Sequence, residues 1–258
     1  VSVDFELQDD GIALITLNRP ERLNAMDADA YRALSEAWMR VRDDDEIRTA
    51  VITGAGERAF STGADLKSFV TSPDDLSGFW QTQREQLLNR GLEVYKPIVA
   101  AVNGYCLGGG MTLLLATDIR VAAEHASFGL AEVKRGIIAG NGGTQRIASQ
   151  LPHAIAMELL LTGDQIDAQT AARWGLVNRV VSMEELLPTA MDYAKRIAAN
   201  APLAVQATKE LALRSRDVDL ASGLRMEQTV NRLLQFTADA KEGPAAFAER
   251  REPRFEGR

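Results

Sequence analysis

The sequence predicts an α/β chain with a helical C-terminal region, and three observations carry that prediction. Short β-branched and apolar runs recur at Val3–Leu7, Ile12–Leu17, Ala50–Thr53, Ile98–Val102 and Ile119–Ala122. Between them the order strand, glycine loop, short helix repeats, as a mainly parallel sheet with crossovers requires. Beyond Thr144 the pattern turns mainly helical. A compositional shift near residue 200 separates residues 1–200, the α/β core, from residues 201–258, a helical region suited to packing on that core or on a neighbour.

Val3–Leu7 and Ile12–Leu17 flank Asp9-Asp10-Gly11, a hairpin signal because Asp-Gly accepts the positive φ of a tight turn. Asn18-Arg19-Pro20 ends the second strand. Asp27 reads as the N-cap of a helix in which Ala30, Leu34, Ala37, Trp38 and Val41 recur at helical spacing, up to the acidic run Asp43–Glu46. The strand Ala50–Thr53 leads into a loop, Gly54–Gly63. A helix is expected from about Phe79 to Val94, after which Lys96-Pro97 introduces the buried-looking strand Ile98–Val102, closed by Asn103-Gly104. Gly108-Gly109-Gly110 opens a short apolar helix, Met111–Ala116, before the strand Ile119–Ala122 and a second glycine-rich passage, Gly136–Gly143. Further helices are expected at Ala154–Leu161, at Ala168–Trp174, from the capping box Ser182-x-x-Glu185, at Pro202–Arg214 and onward to about Thr237.

Composition excludes several classes of protein. The 258 residues carry 36 acids against 29 bases, a net charge of −7, with 46% hydrophobic residues, so a general nucleic-acid binder is not expected. The one cysteine, Cys106, rules out an internal disulfide and a cysteine-rich zinc module, and a reducing, cytoplasmic setting is the simpler expectation. Apolar runs such as Ile98–Val102 and Met111–Ala116 fall far short of the roughly 20 residues of a membrane helix. Asp4 and Glu6 stand where a signal peptide would be basic. An anionic ligand must therefore be held by local groups rather than by the field of the whole chain.

The chain has no G-x-S-x-G elbow, Walker loop or H-E-x-x-H motif, and its two histidines, His125 and His153, offer little material for a triad or metal centre. No metal site is expected. Gly54-Ala55-Gly56-Glu57-Arg58-Ala59 fits a relaxed dinucleotide fingerprint, but it runs into Phe60-Ser61-Thr62-Gly63 instead of opening a helix. The informative feature is a pair of glycine-rich turns, Ser61-Thr62-Gly63-Ala64-Asp65 and Leu107-Gly108-Gly109-Gly110. Without β-carbons such turns can point N–H groups into a cleft, the second at a helix start whose dipole adds positive character. Two donors converging on one oxygen would form an oxyanion hole, each commonly worth about 3 kcal/mol to a transition state. The same glycines also suit plain tight turns and close packing.

Asn18-Arg19-Pro20 with Leu23-Asn24-Ala25, Phe60–Lys67, Ala101–Gly110, Phe128–Glu132, Gly140–Arg146, Ala172–Val177, Ala240–Pro244 and Phe247–Arg251 resemble, in order, the motifs of the enoyl-CoA hydratase/isomerase, or crotonase, superfamily. The resemblance covers nearly the whole chain. It implies a ClpP/crotonase-like spiral of ββα turns in residues 1–200, a helical trimerisation region in residues 201–258, and homotrimers or dimers of trimers. It also implies an acyl-CoA thioester whose carbonyl oxygen lies between the N–H groups of Ala64 and Gly109. Coenzyme A then enters as part of the substrate and no separate cofactor is expected.

Most hydratases of this family place one glutamate two residues after the Gly-Gly-Gly turn and a second about twenty residues later. Here the second is Glu132, but Thr112 stands at the first position. A threonine hydroxyl can order water; it cannot act as a general base near neutral pH. Glu132 is thus expected to carry the proton transfers, its bland alternatives being a turn cap or a partner for Arg135. Hydration of a 2-enoyl-CoA is the leading expectation. Δ3,Δ2-enoyl-CoA isomerisation is the alternative, because isomerases also use one glutamate. Arg173–Val181 and Glu249–Pro253 resemble carnitinyl-CoA dehydratase-like members, which keep the glutamate that Thr112 replaces. A non-catalytic acyl-CoA-binding or scaffold protein is the reading from a different class.

The resemblance further implies a substrate-binding set of Arg22, Leu23, Ala25, Ala64, Asp65, Leu66, Lys67, Gly108, Gly109, Gly140, Phe255 and Arg258. Arg22, Lys67, Arg254 and Arg258 suit CoA phosphates and Phe255 suits adenine, although a solvated basic tail is the equal alternative. In relatives the tail often serves a neighbouring subunit. Cys106, beside the oxyanion turn, reads as packing rather than nucleophile. Phe79 and Trp80 read as helix core, the alternative being the border of the acyl tunnel, and the segment from Val70 to about Arg90, which is expected to shape that tunnel, carries no transferable code.

Overall fold

In the computed structural model, residues 2–8, 10–65 and 86–258 are described. Strand β1 (Val3–Leu7) pairs antiparallel with β2 (Ile12–Leu17), Phe5 opposite Ile15, and Gly11 turns the chain at φ 75°. Helix α1 (Ala28–Asp43) starts where expected, with Asp27 accepting the Ala30 N–H at 2.9 Å, and it buries Ala30, Leu34, Ala37, Trp38 and Val41.

The longer runs form β3 (Thr49–Gly54), β5 (Ile98–Val102) and β7 (Ile119–Ala123), which follow β2 in parallel register. With β10 (Arg179–Val181) they complete a six-stranded sheet of order β1-β2-β3-β5-β7-β10. Side chains alternate between two cores, as a pleated strand requires. Ala50, Ile52, Ile98, Ala100 and Val102 face the main core with α1, whereas Val51, Val99, Ala101 and Val121 face Leu186, Ala190, Ala194 and Ala198 of α6 (Met183–Ala198). The alanines of that helix face let it lie close on the sheet. Ser182 caps α6 by accepting the Glu185 N–H at 3.3 Å.

A second sheet is built from three-residue strands: β4 (Ala59–Ser61), β6 (Tyr105–Leu107), β8 (Ser127–Gly129) and β9 (Gln165–Asp167). Each of β3, β5 and β7 passes directly into a strand of this sheet, so the chain advances as a spiral of strand pairs. The sequence reading held β4 inside a loop and missed β6, β8, β9 and β10. Three residues are too few to display a period of two.

The expected helix from Phe79 to Val94 is corrected in its described part. Leu88–Arg90 forms a single 3-10 turn, ended by Gly91 at φ 95°, because Leu88 and Asn89 are both drawn inward instead of lying on one helix face. Phe79 and Trp80 lie outside the described residues. Helices α2 (Gly109–Leu114), α3 (Gly143–Gln150), α4 (His153–Thr162) and α5 (Ala168–Arg173) complete the first part of the chain.

Beyond residue 200, α7 (Pro202–Arg214) and α8 (Leu220–Leu234) bury no residue, and Leu220, Leu233 and Phe236 are exposed. Helix α9 (Asp239–Glu249), not expected from the sequence because it contains Gly243 and Pro244, receives the C-terminal tail. Asp239, 5% exposed, accepts the Glu256 and Gly257 N–H groups at 2.7 and 2.9 Å. Arg48 ties the Ala198 and Phe255 carbonyls together at 2.9 and 2.7 Å. Among the described residues no helix is long and apolar enough to cross a membrane.

Candidate active site

Two asparagines shape the turn between β3 and β4. Asn103 accepts the Gly54 N–H at 3.1 Å and donates to the carbonyls of Gly54, Gly56 and Ala59 at 2.7 to 3.1 Å. Asn24, at φ 53°, donates to Ala55 and Ala59 at 3.0 and 2.7 Å and accepts the Arg19 N–H at 2.9 Å. Gly54 therefore makes room for the Asn24 amide, and the turn leads into β4, not into the helix that a dinucleotide site needs.

Strand β4 delivers the loop Ser61–Asp65, which the segment after Pro20 holds from one side. Met26 donates to Gly63 at 2.8 Å, and Asp65 and Thr62 donate to Met26 and Leu23 at 2.9 and 3.2 Å. Arg19 donates to the Ala25 carbonyl at 2.6 Å and reaches Asp27 and Asp65 at 3.0 and 3.5 Å. Leu23, Ala25 and Asp65 thus form the frame of the loop, while Arg22 is exposed on the adjoining 3-10 turn. Leu66 and Lys67 lie outside the described residues.

The two glycine turns meet. A β-carbon on Gly63, at φ 91°, would fall 2.6 Å from the Gly109 nitrogen, and one on Gly109 would fall 3.3 Å from the Ala64 nitrogen and 3.4 Å from the Tyr31 hydroxyl. Both amides therefore border one small space. Neither the Ala64 nor the Gly109 N–H donates to another group among the described residues. Helix α2 is six residues long, so these amides themselves, more than a macrodipole, supply the positive character.

Glu132 begins the 3-10 turn Glu132–Arg135 just beyond β8, which Gly108 joins by donating to Gly129 at 3.0 Å. Its Oε1 would stand 3.5 Å from a β-carbon on Gly108, and its Oε2 is buried without a hydrogen-bond partner among the described residues. Burial holds the carboxyl above the ordinary glutamate range, against the weaker pull of its own backbone N–H and of Arg135. Arg135 donates instead to the Ala131 carbonyl at 3.0 Å. A carboxyl beside a glycine turn with one buried oxygen unpartnered among the described residues is costly to the fold and useful to proton transfer.

Thr112, 2% exposed, is already engaged. Its hydroxyl donates to the Gly109 carbonyl at 3.0 Å and accepts the Asn89 side-chain amide at 3.1 Å, and Gly143 leaves room for its methyl group. Gly140 accepts the Gly143 N–H at 2.9 Å and is open where a side chain would project. Asn89 and Tyr31 join this site without having been expected: Tyr31 carries no motif, and Asn89 fell in a segment read as helix. Cys106 is fully buried, with burial pushing its thiol well above the usual range, so it packs and does not attack.

Phe255 and Arg258 are not brought to these loops in the same chain. Phe255 lies against Gly243 and Arg48 holds its carbonyl, while Arg258 pairs with Glu256 at 2.6 Å and its carbonyl accepts the Ala238 N–H at 2.6 Å.

Fold and site together define an α/β enzyme in which two glycine turns bring the Ala64 and Gly109 amides to one small space near a half-buried carboxyl. The family model for enoyl-CoA hydratase/isomerase matches residues 8–258. Over 246 residues the chain is 44% identical to (E)-benzylidenesuccinyl-CoA hydratase of Thauera aromatica, covering 95% of this chain and 96% of that one. It is 43% identical to carnitinyl-CoA dehydratase of Salmonella arizonae over 94% of each chain. The crystal structure of an enoyl-CoA hydratase from Bacillus anthracis superposes with a TM-score of 0.93 at 35% identity over 100% of both chains. The enoyl-CoA hydratase from Mycobacterium tuberculosis superposes with a TM-score of 0.90 at 40% identity over 100% of this chain and 99% of that one. The protein belongs to the enoyl-CoA hydratase/isomerase family and has the crotonase fold.

Proposed function

We propose that this enzyme adds water across the 2,3 double bond of a 2-enoyl-CoA, with Glu132 as its single acid/base group. The carrying observation is the Glu132 carboxyl, whose Oε1 would stand 3.5 Å from a β-carbon on Gly108 and whose Oε2 is buried with no hydrogen-bond partner among the described residues. Glu132 takes a proton from water as the water oxygen bonds to C3. The π electrons move toward C2 and the thioester oxygen, whose growing charge the Ala64 and Gly109 N–H groups hold. The carboxyl then returns the proton to C2, so that one water is added and the enzyme is restored. Coenzyme A enters with the substrate, and the mechanism calls for no other cofactor.

Relatives named as a benzylidenesuccinyl-CoA hydratase and carnitinyl-CoA dehydratases support hydro-lyase chemistry. The engagement of Thr112 by Asn89 and Gly109 supports a second reading, in which Glu132 moves a proton between C4 and C2 as an isomerase. A panel of enoyl-CoA thioesters separates the two. Loss of the conjugated enoyl absorbance with a 3-hydroxyacyl product supports hydration, conversion of 3-enoyl to 2-enoyl supports isomerisation, and binding without turnover supports a scaffold.

Residues 201–258 fit a trimerisation region of a homotrimer or dimer of trimers, given the exposed Leu220, Leu233 and Phe236. In that assembly Phe255 and Arg258 serve the CoA of a neighbouring subunit, while Arg22, Leu66, Lys67 and Gly140 serve the same chain's site. A cytoplasmic setting suits the single buried thiol.

A further inference from the structure

Ser61, the last residue of β4, is fully buried, and its hydroxyl serves two backbone groups at once. It donates to the Asn24 carbonyl at 2.8 Å and accepts the Gly63 N–H at 3.1 Å. The anchor is itself held. The Asn24 N–H donates to the Arg19 carbonyl at 2.9 Å, and the Asn24 side chain spans Arg19, Ala55 and Ala59. Gly110 closes in from the neighbouring turn, where a β-carbon would fall 2.9 Å from that of Ser61. A second bond fixes the next peptide, since Met26 donates its N–H to the Gly63 carbonyl at 2.8 Å. In a trans peptide the C=O and the following N–H point in opposite directions, so this bond turns the Ala64 N–H away from Met26. Gly63, at φ 91°, is thus the joint between two clamped peptide planes.

Resting on the reading of Ala64 and Gly109 as donors to the thioester oxygen, we infer that Ser61 is a positioning residue for the chemical step. A glycine has no β-carbon to restrict rotation, so the joint at Gly63 needs clamps from outside. Of the two clamps, Met26 supplies one with its backbone and Ser61 supplies the other with its side chain. The hydroxyl stops the Thr62–Gly63 peptide from turning and so keeps the Ala64 N–H in place. The thioester oxygen carries more charge in the transition state than in the bound substrate. A loosened donor therefore costs turnover more than it costs binding. Ser61 acts through the backbone, by holding Gly63 to Asn24.

The test compares the full-length wild type with Ser61→Ala and with Ser61→Cys, whose thiol is a weaker donor and acceptor. On the thioester turned over fastest, kcat is expected to fall about tenfold to a hundredfold in Ser61→Ala while KM stays within about threefold. Ser61→Cys should fall between the two. A second readout uses acetoacetyl-CoA, a β-keto thioester whose enolate absorbs in the near ultraviolet, bound to Glu132→Gln so that no carboxylate competes with the enolate. There the ionisation constant of the bound ligand should exceed that in free solution, and adding Ser61→Ala should lower it about tenfold. A role confined to folding would lower the melting temperature and leave this constant unmoved. An unchanged kcat, an unchanged ionisation constant, or a rise in KM that accounts for the whole loss overturns the inference and leaves the thioester reading standing. If Glu132→Gln with Ser61 intact does not favour the enolate at all, both fall. Should Ser61→Ala not fold, Ser61→Cys decides on the same measurements.

Discussion

Gly63 and Gly109 meet backbone to backbone, so closely that a β-carbon on Gly63 would stand 2.6 Å from the Gly109 nitrogen. The contact joins loops that leave adjacent strands of the small sheet, β4 and β6, and it brings the Ala64 and Gly109 nitrogens to the border of one small space. The proposed chemistry places the thioester oxygen on these backbone groups, so the side chains that matter around it are those that place the backbone.

Gly63→Ala is expected to damage this contact doubly, since alanine also resists φ 91°. The catalytic efficiency toward the best thioester should fall by about 10²-fold or more, the scale of losing an oxyanion donor. Circular dichroism should retain its native shape. Wild-type efficiency in the variant would show that the alignment is dispensable.

Glu132→Gln should lower turnover by about 10³-fold or more while acyl-CoA binding persists, because an amide cannot exchange the proton. In the wild type, kcat/KM should rise with pH on an acid limb lying above the ordinary glutamate range, since burial raises this carboxyl and the carboxylate is the active form. The limb should vanish from the residual activity of the variant.

The same raised carboxyl weighs on stability with a definite sign. Its folded-state affinity for a proton exceeds that of the unfolded chain, so its contribution is present below the unfolded value and is lost as pH rises through the folded value. Above the folded value the native state therefore holds a half-buried charge it would rather neutralise. Glu132→Gln should melt higher than wild type at pH 7, by on the order of 2 °C for a chain of this size, with the gap closing below about pH 4.

Thr112→Val keeps the shape and removes the hydroxyl, leaving the Asn89 amide and the Gly109 carbonyl without this partner. Urea unfolding should show a loss of about 1–3 kcal/mol with an unchanged slope. Turnover should fall far less than in Glu132→Gln. A comparable loss of turnover would assign Thr112 a direct part in the chemistry.

Deleting residues 252–258 removes Phe255 and Arg258 together with the bonds of Phe255 to Arg48, of Glu256 and Gly257 to Asp239, and of Arg258 to Ala238. If the tail serves CoA, KM should rise with little change in kcat, and the rise should disappear for thioesters of pantetheine that lack the nucleotide. Equal KM for full-length and truncated protein on CoA thioesters would confine the tail to packing.

What the sequence by itself determined was set by local chemistry and by period. The hairpin, α1 with its Asp27 cap, the long strands β3, β5 and β7, and α6 with its Ser182 cap all repeat a pattern over enough residues to be read. The glycine turns and Glu132 were likewise legible, as motifs whose order matched a family.

Only the tertiary structure decided how these parts meet. The small sheet consists of three-residue strands that exist because neighbouring turns of the spiral supply their partners. Asn89 stands 23 positions from Thr112, and Asn141 stands 51 from Arg90. No spacing rule links residues that far apart. Their hydrogen bonds arise because buried polar groups must find partners once the core has closed.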